Sequence, residues 1–230
     1  MQSDSQEILL PWDELDTILL DMDGTILDLN YDNHVWNQAL PCAYAEKHSI
    51  DETAARSKLT GHMQEIHGTI DFYSFPYWAQ YTKLDIKALH RDFTELIQFR
   101  PGAKAFLNWA KAKKKKTIIA TNAHPESIQI KNEISALSSY VNHITSSHQY
   151  ECPKETPKFW ERLQIEHQFD KAKTIFIDDN APVLDSSKNY GLAYNLIVAR
   201  PDSQKPLKTN LSYPSFDHYE ELCPQIKVNN

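Results

Sequence analysis

The chain alternates between short apolar runs and longer stretches in which apolar residues recur at helical spacing. Four of the apolar runs stop abruptly at polar residues, and a fifth run follows them. Short apolar runs bounded in this way are typical of buried β-strands that deliver polar residues at their C-terminal ends. The five predicted strands are residues 17–20, 117–120, 141–145, 174–177 and 192–198.

Stretches of helical length separate the predicted strands, at residues 103–113, 125–137, 157–167 and 181–188. Strands that alternate with helices predict a parallel sheet of the α/β class, because each helix returns the chain to the start of the next strand. In such sheets ligands bind outside the carboxyl ends of the strands. The polar residues that end the apolar runs should therefore converge on one crevice.

Residues 31–98 show a different pattern from the rest of the chain. They hold no comparable apolar run, and Ala, Leu, Glu, Lys and aromatic residues recur in them at loosely helical spacing. Pro101 and Gly102 mark the return to the alternating pattern. A chain of 230 residues is long enough for two compact units. We therefore predict an α/β core formed by residues 1–30 and 99–230, with residues 31–98 inserted as a helical cap.

Composition and charge narrow the class of protein. With 41% hydrophobic and 24% charged residues, the chain has an ordinary globular composition. Its formal net charge of -7 argues against a nucleic-acid partner, because such binding depends on Lys and Arg that neutralise phosphates. The segment that begins at Met1 has no basic patch followed by a long apolar run, so we expect neither a secretory signal nor a membrane partner. The widely spaced cysteines fit reduced thiols in a cytoplasmic protein.

Two carboxylates, Asp21 and Asp23, follow the first predicted strand with one residue between them. At a strand end they can act on one substrate, one attacking while the other moves protons. We predict that Asp21 attacks the phosphorus of a phosphate monoester and forms an aspartyl-phosphate. Asp23 would protonate the leaving oxygen and then activate the water that hydrolyses this intermediate.

A pair of acids, Asp178 and Asp179, follows the fourth predicted strand. Adjacent acids repel each other unless a metal or hydrogen bonds relieve the repulsion. Anionic side chains that face a phosphate also need a hard cation with oxygen ligands, and Mg²⁺ suits this role. We therefore predict a Mg²⁺ site formed by Asp21, Asp23, Asp178 and Asp179. A helix N-cap would explain one of the two adjacent acids but not both.

Four further residues are candidates for phosphate binding. Gly24 and Thr25 would let the backbone turn closely round the phosphate. Thr121 and Asn122 follow the second predicted strand, ahead of a helix that opens at Pro125, and they offer a hydroxyl, an amide and backbone N–H groups. The same two residues also fit plain turn and capping roles, which are compatible with anion binding.

Lys154 lies just before the predicted helix at residues 157–167. Its ammonium group would offset the charge of the nucleophile and the charge that develops on phosphorus. An isolated lysine is more often a solvated surface residue. The catalytic role is favoured here only because Lys154 lies between the residues that end the second and fourth strands. Lys158 is the alternative, although it falls inside the helix.

The order of these residues resembles the four motifs of the haloacid dehalogenase superfamily of aspartyl-phosphate phosphatases. On its own the run 21–25 also fits a turn or a calcium-type loop, but four motifs in order favour the phosphatase. The motifs are Asp21-Met22-Asp23-Gly24-Thr25, Thr121-Asn122, Lys154 and Asp178-Asp179. The resemblance covers residues 15–198 and implies a Rossmann-like core with a helical cap of the C1 type. It also implies phosphatase or phosphomutase chemistry, since dehalogenases lack the second aspartate.

A closer resemblance is to the bacterial GMP/IMP nucleotidases of this superfamily. The residues that carry it are Asp32-Asn33 with Trp36, Thr121-Asn122-Ala123-His124-Pro125, and Pro153-Lys154-Glu155. It implies that a purine nucleoside monophosphate is the small-molecule substrate and is hydrolysed to nucleoside and inorganic phosphate, a reaction of nucleotide metabolism. A sugar-phosphate phosphatase or a phosphomutase would share every catalytic residue. A non-catalytic ligand-binding protein would keep the fold, and intact Asp21 and Asp23 argue against it.

The predicted cap contains residues that admit more than one interpretation. Its aromatic residues could stack on a purine base, although such stretches more often form core packing. His62, Glu65 and His67 resemble a metal cluster, but we expect them on different sides of a helix. The aromatic candidates are Trp36, Phe72, Tyr73, Phe75, Tyr77 and Trp78.

Overall fold

One six-stranded parallel sheet forms the centre of the fold. The structure, a computed structural model, describes residues 10–223. The strands in chain order are β1 (Thr17–Leu20), β2 (Lys116–Thr121), β3 (His143–Ser146), β4 (Thr174–Asp178), β5 (Tyr194–Val198) and β6 (Ser215–Phe216). Across the sheet they lie in the order β3-β2-β1-β4-β5-β6, so that β1 is between β2 and β4.

This sheet confirms the predicted α/β class. All five predicted strands are present, with ends shifted by one or two residues at most. The sixth strand, β6, was not predicted, because its two residues are too few to show a hydrophobic period.

Every residue of β1 is buried, and its side chains point to both faces of the sheet. Ile18 and Leu20 belong to the hydrophobic core on one face, whereas Leu19 belongs to the core on the other face. Successive side chains of a strand point in opposite directions, so a strand covered by helices on both faces must be apolar at every position. The continuous apolar runs in the sequence have this origin.

The segment predicted as the cap is largely helical. It contains α1 (Asn30–His34), α2 (Leu40–His48), α3 (Glu52–Ile66), α4 (Phe75–Thr82) and α5 (Ile86–Arg91), and a π-helical turn, Val35–Ala39, joins α1 to α2. The chain enters and leaves this helical segment side by side. The Asp28 N–H donates to the Gln98 oxygen at 2.8 Å, and the Arg100 N–H donates to the Ile26 oxygen at 2.9 Å. The division of the chain into a core and a separate cap stays a prediction.

The remaining helices are α6 (Ala103–Ala112), α7 (Pro125–Ser135), α8 (Pro157–His167), α9 (Ala181–Tyr190) and α10 (Tyr219–Leu222). α7, α8 and α9 each carry a proline in the first two positions, where the missing N–H has no helical partner to lose. These three helices follow β2, β3 and β4 in the chain. Their N-termini therefore lie at the edge of the sheet where the strands end.

No helix within residues 10–223 combines the length and the apolar character that a bilayer crossing needs. The expectation about a secretory signal rests on the first residues of the chain, which lie outside the described part. Residues 224–230, assigned by prediction to the core, lie outside it as well.

His90 of α5 is fully buried among the aromatic side chains of the helical segment. The Tyr31 hydroxyl lies 3.0 Å from its Nδ1 and donates to its backbone oxygen at 2.9 Å. The rings of Trp36 and Phe75 lie against the imidazole, with centroids 5.2 and 4.4 Å away. Burial, with a smaller contribution from the Lys131 ammonium, lowers the pKa of His90 to about 3. The fold therefore packs around a neutral imidazole.

We predict that His90 makes the fold sensitive to acid. As the pH falls from 6.5 towards about 3, this residue gains a proton in the unfolded chain but not in the folded one. Its contribution to stability is thus complete above pH 6.5 and is lost as the pH falls towards 3. The variant His90→Asn retains an N–H donor near Nδ1 for the Tyr31 hydroxyl and does not titrate. As the pH falls, its free energy of unfolding should decrease less steeply than that of the wild type. The two slopes should differ by up to about 1.4 kcal/mol per pH unit.

Urea denaturation of wild type and variant between neutral and acidic pH measures this difference. His67→Asn, at an exposed histidine, is the matched control and should follow the wild type. Parallel pH dependences for wild type and His90→Asn would contradict the prediction.

Candidate active site

The carboxyl ends of β1, β2 and β4 meet at one cavity of about 280 Å³. Leu20 at the end of β1 pairs with Ile119 of β2 and with Ile177 of β4. Because the strands are parallel, the residues that follow these three lie side by side. The predicted site residues that line the cavity are Asp21, Asp23, Thr121, Asn122, Lys154, Asp178 and Asp179.

Lys154 forms ion pairs with two of the aspartates. Its Nζ lies 2.5 Å from Asp21 Oδ1 and 2.7 Å from Asp178 Oδ2, and the residue is 2% exposed. Its backbone N–H donates to Asn122 Oδ1 at 2.9 Å, which fixes the loop that carries it. The alternative candidate, Lys158, is exposed on α8. The structure thus brings Lys154, and not Lys158, to the strand ends.

Negative charge is in excess at the floor of the cavity, which is formed by Asp21, Lys154, Asp178 and Asp179. Burial raises the pKa values of Asp21, Asp178 and Asp179. The Lys154 ammonium opposes this effect, whereas the Asp178 charge raises the pKa of Asp21 further. For Lys154 itself burial favours the neutral form, but the two paired carboxylates outweigh it and raise its pKa. The Lys154 ammonium contacts two of these three carboxylates, and the Lys208 ammonium lies 3.8 Å from Asp179 Oδ2. Negative charge therefore remains in excess, and an added cation would stabilise the group.

Asp21, Asp178 and Asp179 fit a hard divalent cation. Each offers a carboxylate oxygen, and these three oxygens lie within 4.8 Å of one another. Oxygen ligands of this kind suit Mg²⁺. The fourth predicted ligand, Asp23, does not belong to this group. Its Oδ1 lies 2.7 Å from the Nζ of Lys131, a residue that the sequence did not indicate.

The loop between β2 and α7 supplies the polar groups expected for phosphate binding. Thr121 Oγ1 accepts the N–H of Ala123 at 3.0 Å, and Asn122 Nδ2 donates to Glu155 Oε2 at 3.0 Å. His124 caps α7, so the first turn of this helix begins beside the cavity. The N–H groups of a helix start favour an anion. Glu155 was not assigned to the site, although it is adjacent in sequence to Lys154.

Gly24 and Thr25 are not among the residues that line the cavity. Gly24 has a φ of +82°, and a Cβ there would lie 2.9 Å from both Asp179 Cγ and Pro201 Cβ. The turn therefore requires glycine. Thr25 is fully buried, and the Tyr219 hydroxyl donates to its backbone oxygen at 2.9 Å. These two candidates shape the turn after β1, and a contact of theirs with phosphate stays a prediction.

The helical segment supplies an aromatic wall to the same cavity. Phe75 and Trp78 are buried, at 3% and 0% exposure, and belong to the hydrophobic core. Trp36, Phe72 and Tyr73 are half-buried, so part of each ring can contact a ligand. The tertiary structure thus separates the core-packing aromatics from those available for stacking. The helical segment also lines the cavity with Asp32, Asn33, Asn37 and Met63.

His62 and Glu65 contact each other, and the expectation that they lie on different sides of α3 is wrong. His62 Nδ1 lies 3.1 Å from Glu65 Oε2, because residues three apart share a helix face. His62 Nε2 lies 2.7 Å from the hydroxyl of Tyr77. Among residues 10–223, the acidic, His and Cys side chains grouped closely enough for a metal are the three aspartates that begin with Asp21.

Comparisons with a family model and with known proteins agree on one family. A family model described as haloacid dehalogenase-like hydrolase matches residues 15–191. The GMP/IMP nucleotidase YrfG of Escherichia coli (strain K12) is 32% identical over 219 residues, which cover 95% of this chain and 99% of that protein. The protein of the same name from Shigella flexneri matches equally well.

Two solved structures share the fold. The HAD phosphatase from Thermococcus onnurineus has a TM-score of 0.75 at 17% identity, covering 90% of this chain and 96% of that chain. The putative beta-phosphoglucomutase from Thermotoga maritima has a TM-score of 0.65 at 16% identity, covering 92% and 98%. At these identities the likeness concerns the fold alone. The family match and the nucleotidase relatives confirm the predicted resemblance: the chain belongs to the haloacid dehalogenase-like hydrolases and is a phosphatase of that family.

Proposed function

We propose that this phosphatase is a Mg²⁺-dependent 5′-nucleotidase that hydrolyses purine monophosphates such as GMP and IMP through an aspartyl-phosphate on Asp21. The observation that carries the proposal is the position of the Asp21 carboxylate. It is buried at the floor of a cavity, 2.5 Å from the Lys154 ammonium, and half-buried aromatic rings line the same cavity. The nucleotidase relatives, at 32% identity over 95% of the chain, support the choice of substrate.

The first step is transfer of the phosphoryl group to Asp21. A carboxylate oxygen of Asp21 attacks phosphorus, and the bond from phosphorus to the ester oxygen breaks. The leaving oxygen takes a proton from the carboxyl group of Asp23, which lines the cavity two residues away. Lys154 holds the nucleophile in place and offsets negative charge as the phosphoryl group approaches.

The second step returns Asp21 to its starting state. A water molecule attacks the phosphorus of the aspartyl-phosphate and gives a proton to the Asp23 carboxylate, and the bond between phosphorus and Asp21 breaks. Inorganic phosphate leaves. Thr121 and Asn122, with the N–H groups at the start of α7, hold the phosphate oxygens during both steps.

Asp21, Asp178 and Asp179 would hold the Mg²⁺ ion. When bound, it supplies positive charge that offsets the repulsion between these carboxylates and the phosphate. The grouping of these three aspartates supports their role in ion binding, and the position of Asp23 outside the group supports its role in proton transfer.

The base of the nucleotide lies against the aromatic wall in this proposal. Trp36 and Phe72 offer ring surface, and Asn33 and Asn37 offer donors and acceptors for the edge of a purine. The expected cytoplasmic location is part of the same proposal, and the free thiols of Cys42 and Cys152 support it.

Phosphate release from a panel of monoesters tests the proposed substrate. With Mg²⁺ present, kcat/KM for GMP and IMP should exceed that for pyrimidine nucleotides and sugar phosphates by about tenfold or more. Sugar phosphates lack a base, whose stacking is worth about 1–3 kcal/mol, and pyrimidines offer a smaller ring and different edge groups. EDTA should abolish release, and excess Mg²⁺ should restore it. A preference for sugar phosphates would replace the nucleotide by that substrate class. Release that persists in EDTA would contradict the metal site.

The variant Asp21→Asn should lose phosphate release from every substrate of the panel, because an amide cannot form the phosphoenzyme. Rapid acid quenching with a radiolabelled substrate should trap a protein-bound phosphate in the wild type and none in the variant. Asp13→Asn, at an exposed aspartate, is the matched control and should behave as the wild type. A labelled Asp21→Asn protein would show that another side chain is the nucleophile.

Replacing Trp36 by leucine should separate base recognition from phosphate chemistry. Trp36→Leu retains an apolar side chain against Phe75 and Trp78 but removes the ring. We expect kcat/KM for GMP and IMP to fall about 5- to 100-fold, with little change for ribose 5-phosphate. Trp109→Leu, at a half-buried tryptophan of α6, should leave the GMP to ribose 5-phosphate ratio unchanged. An unchanged ratio in Trp36→Leu would remove this residue from the base site.

A further inference from the structure

The ammonium group of Lys131 lies between two carboxylates that belong to different parts of the chain. Its Nζ is 2.7 Å from Asp23 Oδ1, at the turn after β1, and 2.8 and 2.9 Å from the two oxygens of Asp32 in α1. The residue is 1% exposed although it sits in the middle of α7. The same ammonium lies 5.3 Å from the ring centre of Tyr31. A buried charge with this many fixed neighbours has little freedom to move.

Asp23 presents its two carboxylate oxygens to different surroundings. Oδ1 is buried and lies against Lys131, whereas the side chain as a whole is 18% exposed and lines the cavity. The oxygen that remains for a substrate or a water molecule is therefore Oδ2. The contact to Lys131 sets the direction in which this second oxygen points.

We propose that Lys131 is a positioning residue that aligns the carboxyl group of Asp23 for proton transfer, and that Asp32 in turn holds Lys131 in place. The inference rests on the proposed function, because it takes Asp23 as the group that moves protons. In the first step the proton passes from Asp23 to the leaving oxygen as the phosphorus–oxygen bond breaks. A carboxyl group that rotates freely would point towards that oxygen for only part of the time, and proton transfer would be slower.

The competing explanation for the Lys131 contacts is that they only stabilise the packing of the helical segment against α7. Two other ion pairs already join α5 to α7: Lys87 with Glu126 at 2.8 Å, and Arg91 with Glu133 at 3.0 Å. These pairs involve half-exposed side chains, whereas Lys131 is buried and reaches the cavity-lining Asp23. They therefore provide a control that disturbs the contact between α7 and the helical segment, at α5 instead of α1, without touching the site.

The test uses the dependence of the rate on the leaving group. An alkyl oxygen, as in a nucleoside 5′-phosphate, leaves poorly without a proton, whereas p-nitrophenolate is stable as an anion. kcat/KM reports on the steps up to and including the departure of the leaving group, before the phosphoenzyme is hydrolysed. A misplaced general acid should therefore lower kcat/KM for the alkyl ester and spare the aryl ester.

We expect Lys131→Met to lower kcat/KM for GMP about 10- to 100-fold, a part of what a general acid contributes, and to change kcat/KM for p-nitrophenyl phosphate about 3-fold or less. For the aryl ester kcat and KM should fall together, with a burst of p-nitrophenolate, because Asp23 also activates the water of the second step. The double variant Lys131→Met with Asp32→Asn removes one charge of each sign. It should fold as the wild type does, as judged by thermal melting, and show the same selective loss.

Glu133→Gln, which breaks the Arg91 pair on the same helix, should leave both rates and their ratio unchanged. An equal loss for alkyl and aryl esters in Lys131→Met and in the folded double variant would overturn the inference and assign Lys131 a structural role. If the wild type prefers a sugar phosphate, the proposed substrate fails and the same comparison is made with that alkyl ester. A wild type that releases phosphate from no ester would overturn both the proposed function and this inference.

Discussion

The excess of buried negative charge at the carboxyl ends of the strands is the constraint on which the site depends. Asp21, Asp178 and Asp179 lie close together with Lys154 as the ammonium that two of them share. Such a group is unstable by itself, because burial penalises each carboxylate and the charges repel one another. The parallel sheet imposes the crowding, since β1 lies between β2 and β4 and the strands end in register. A site built in this way attracts a cation.

The helical segment contributes a different chemistry to the same cavity. Its half-buried rings, such as Trp36 and Phe72, face a floor made of charged groups. In the proposed function, the phosphate chemistry and the choice of substrate are therefore carried by separate parts of the chain. On this proposal, a change in the aromatic wall would change the substrate while the floor and its chemistry stay the same. The Tyr73 hydroxyl, which donates to Glu155 Oε1 at 3.1 Å, links the two parts.

The predicted strands and the residues that follow them came from local pattern. A buried parallel strand is apolar along its length, so its end is visible wherever a polar residue interrupts the run. Asp21, Thr121 and Asp178 were found in this way, and the parallel arrangement made their convergence predictable. Lys154 has no such local signal, and its place in the motif order of the family was needed to select it over Lys158.

The sequence did not predict which charged side chains form ion pairs across distant parts of the chain. In the sequence Lys131 has no feature that distinguishes it from other helical lysines. It is buried between Asp23 and Asp32 because α7 packs against α1 and the turn after β1. Asp23 pairs with Lys131 and is not in the group of the other three aspartates, although its spacing from Asp21 suggested a shared metal. The sequence by itself determined the fold class and the residues at the strand ends, because hydrophobic period is a local property. Tertiary structure decided the partner of each charge, because burial and ion pairing arise when distant segments meet.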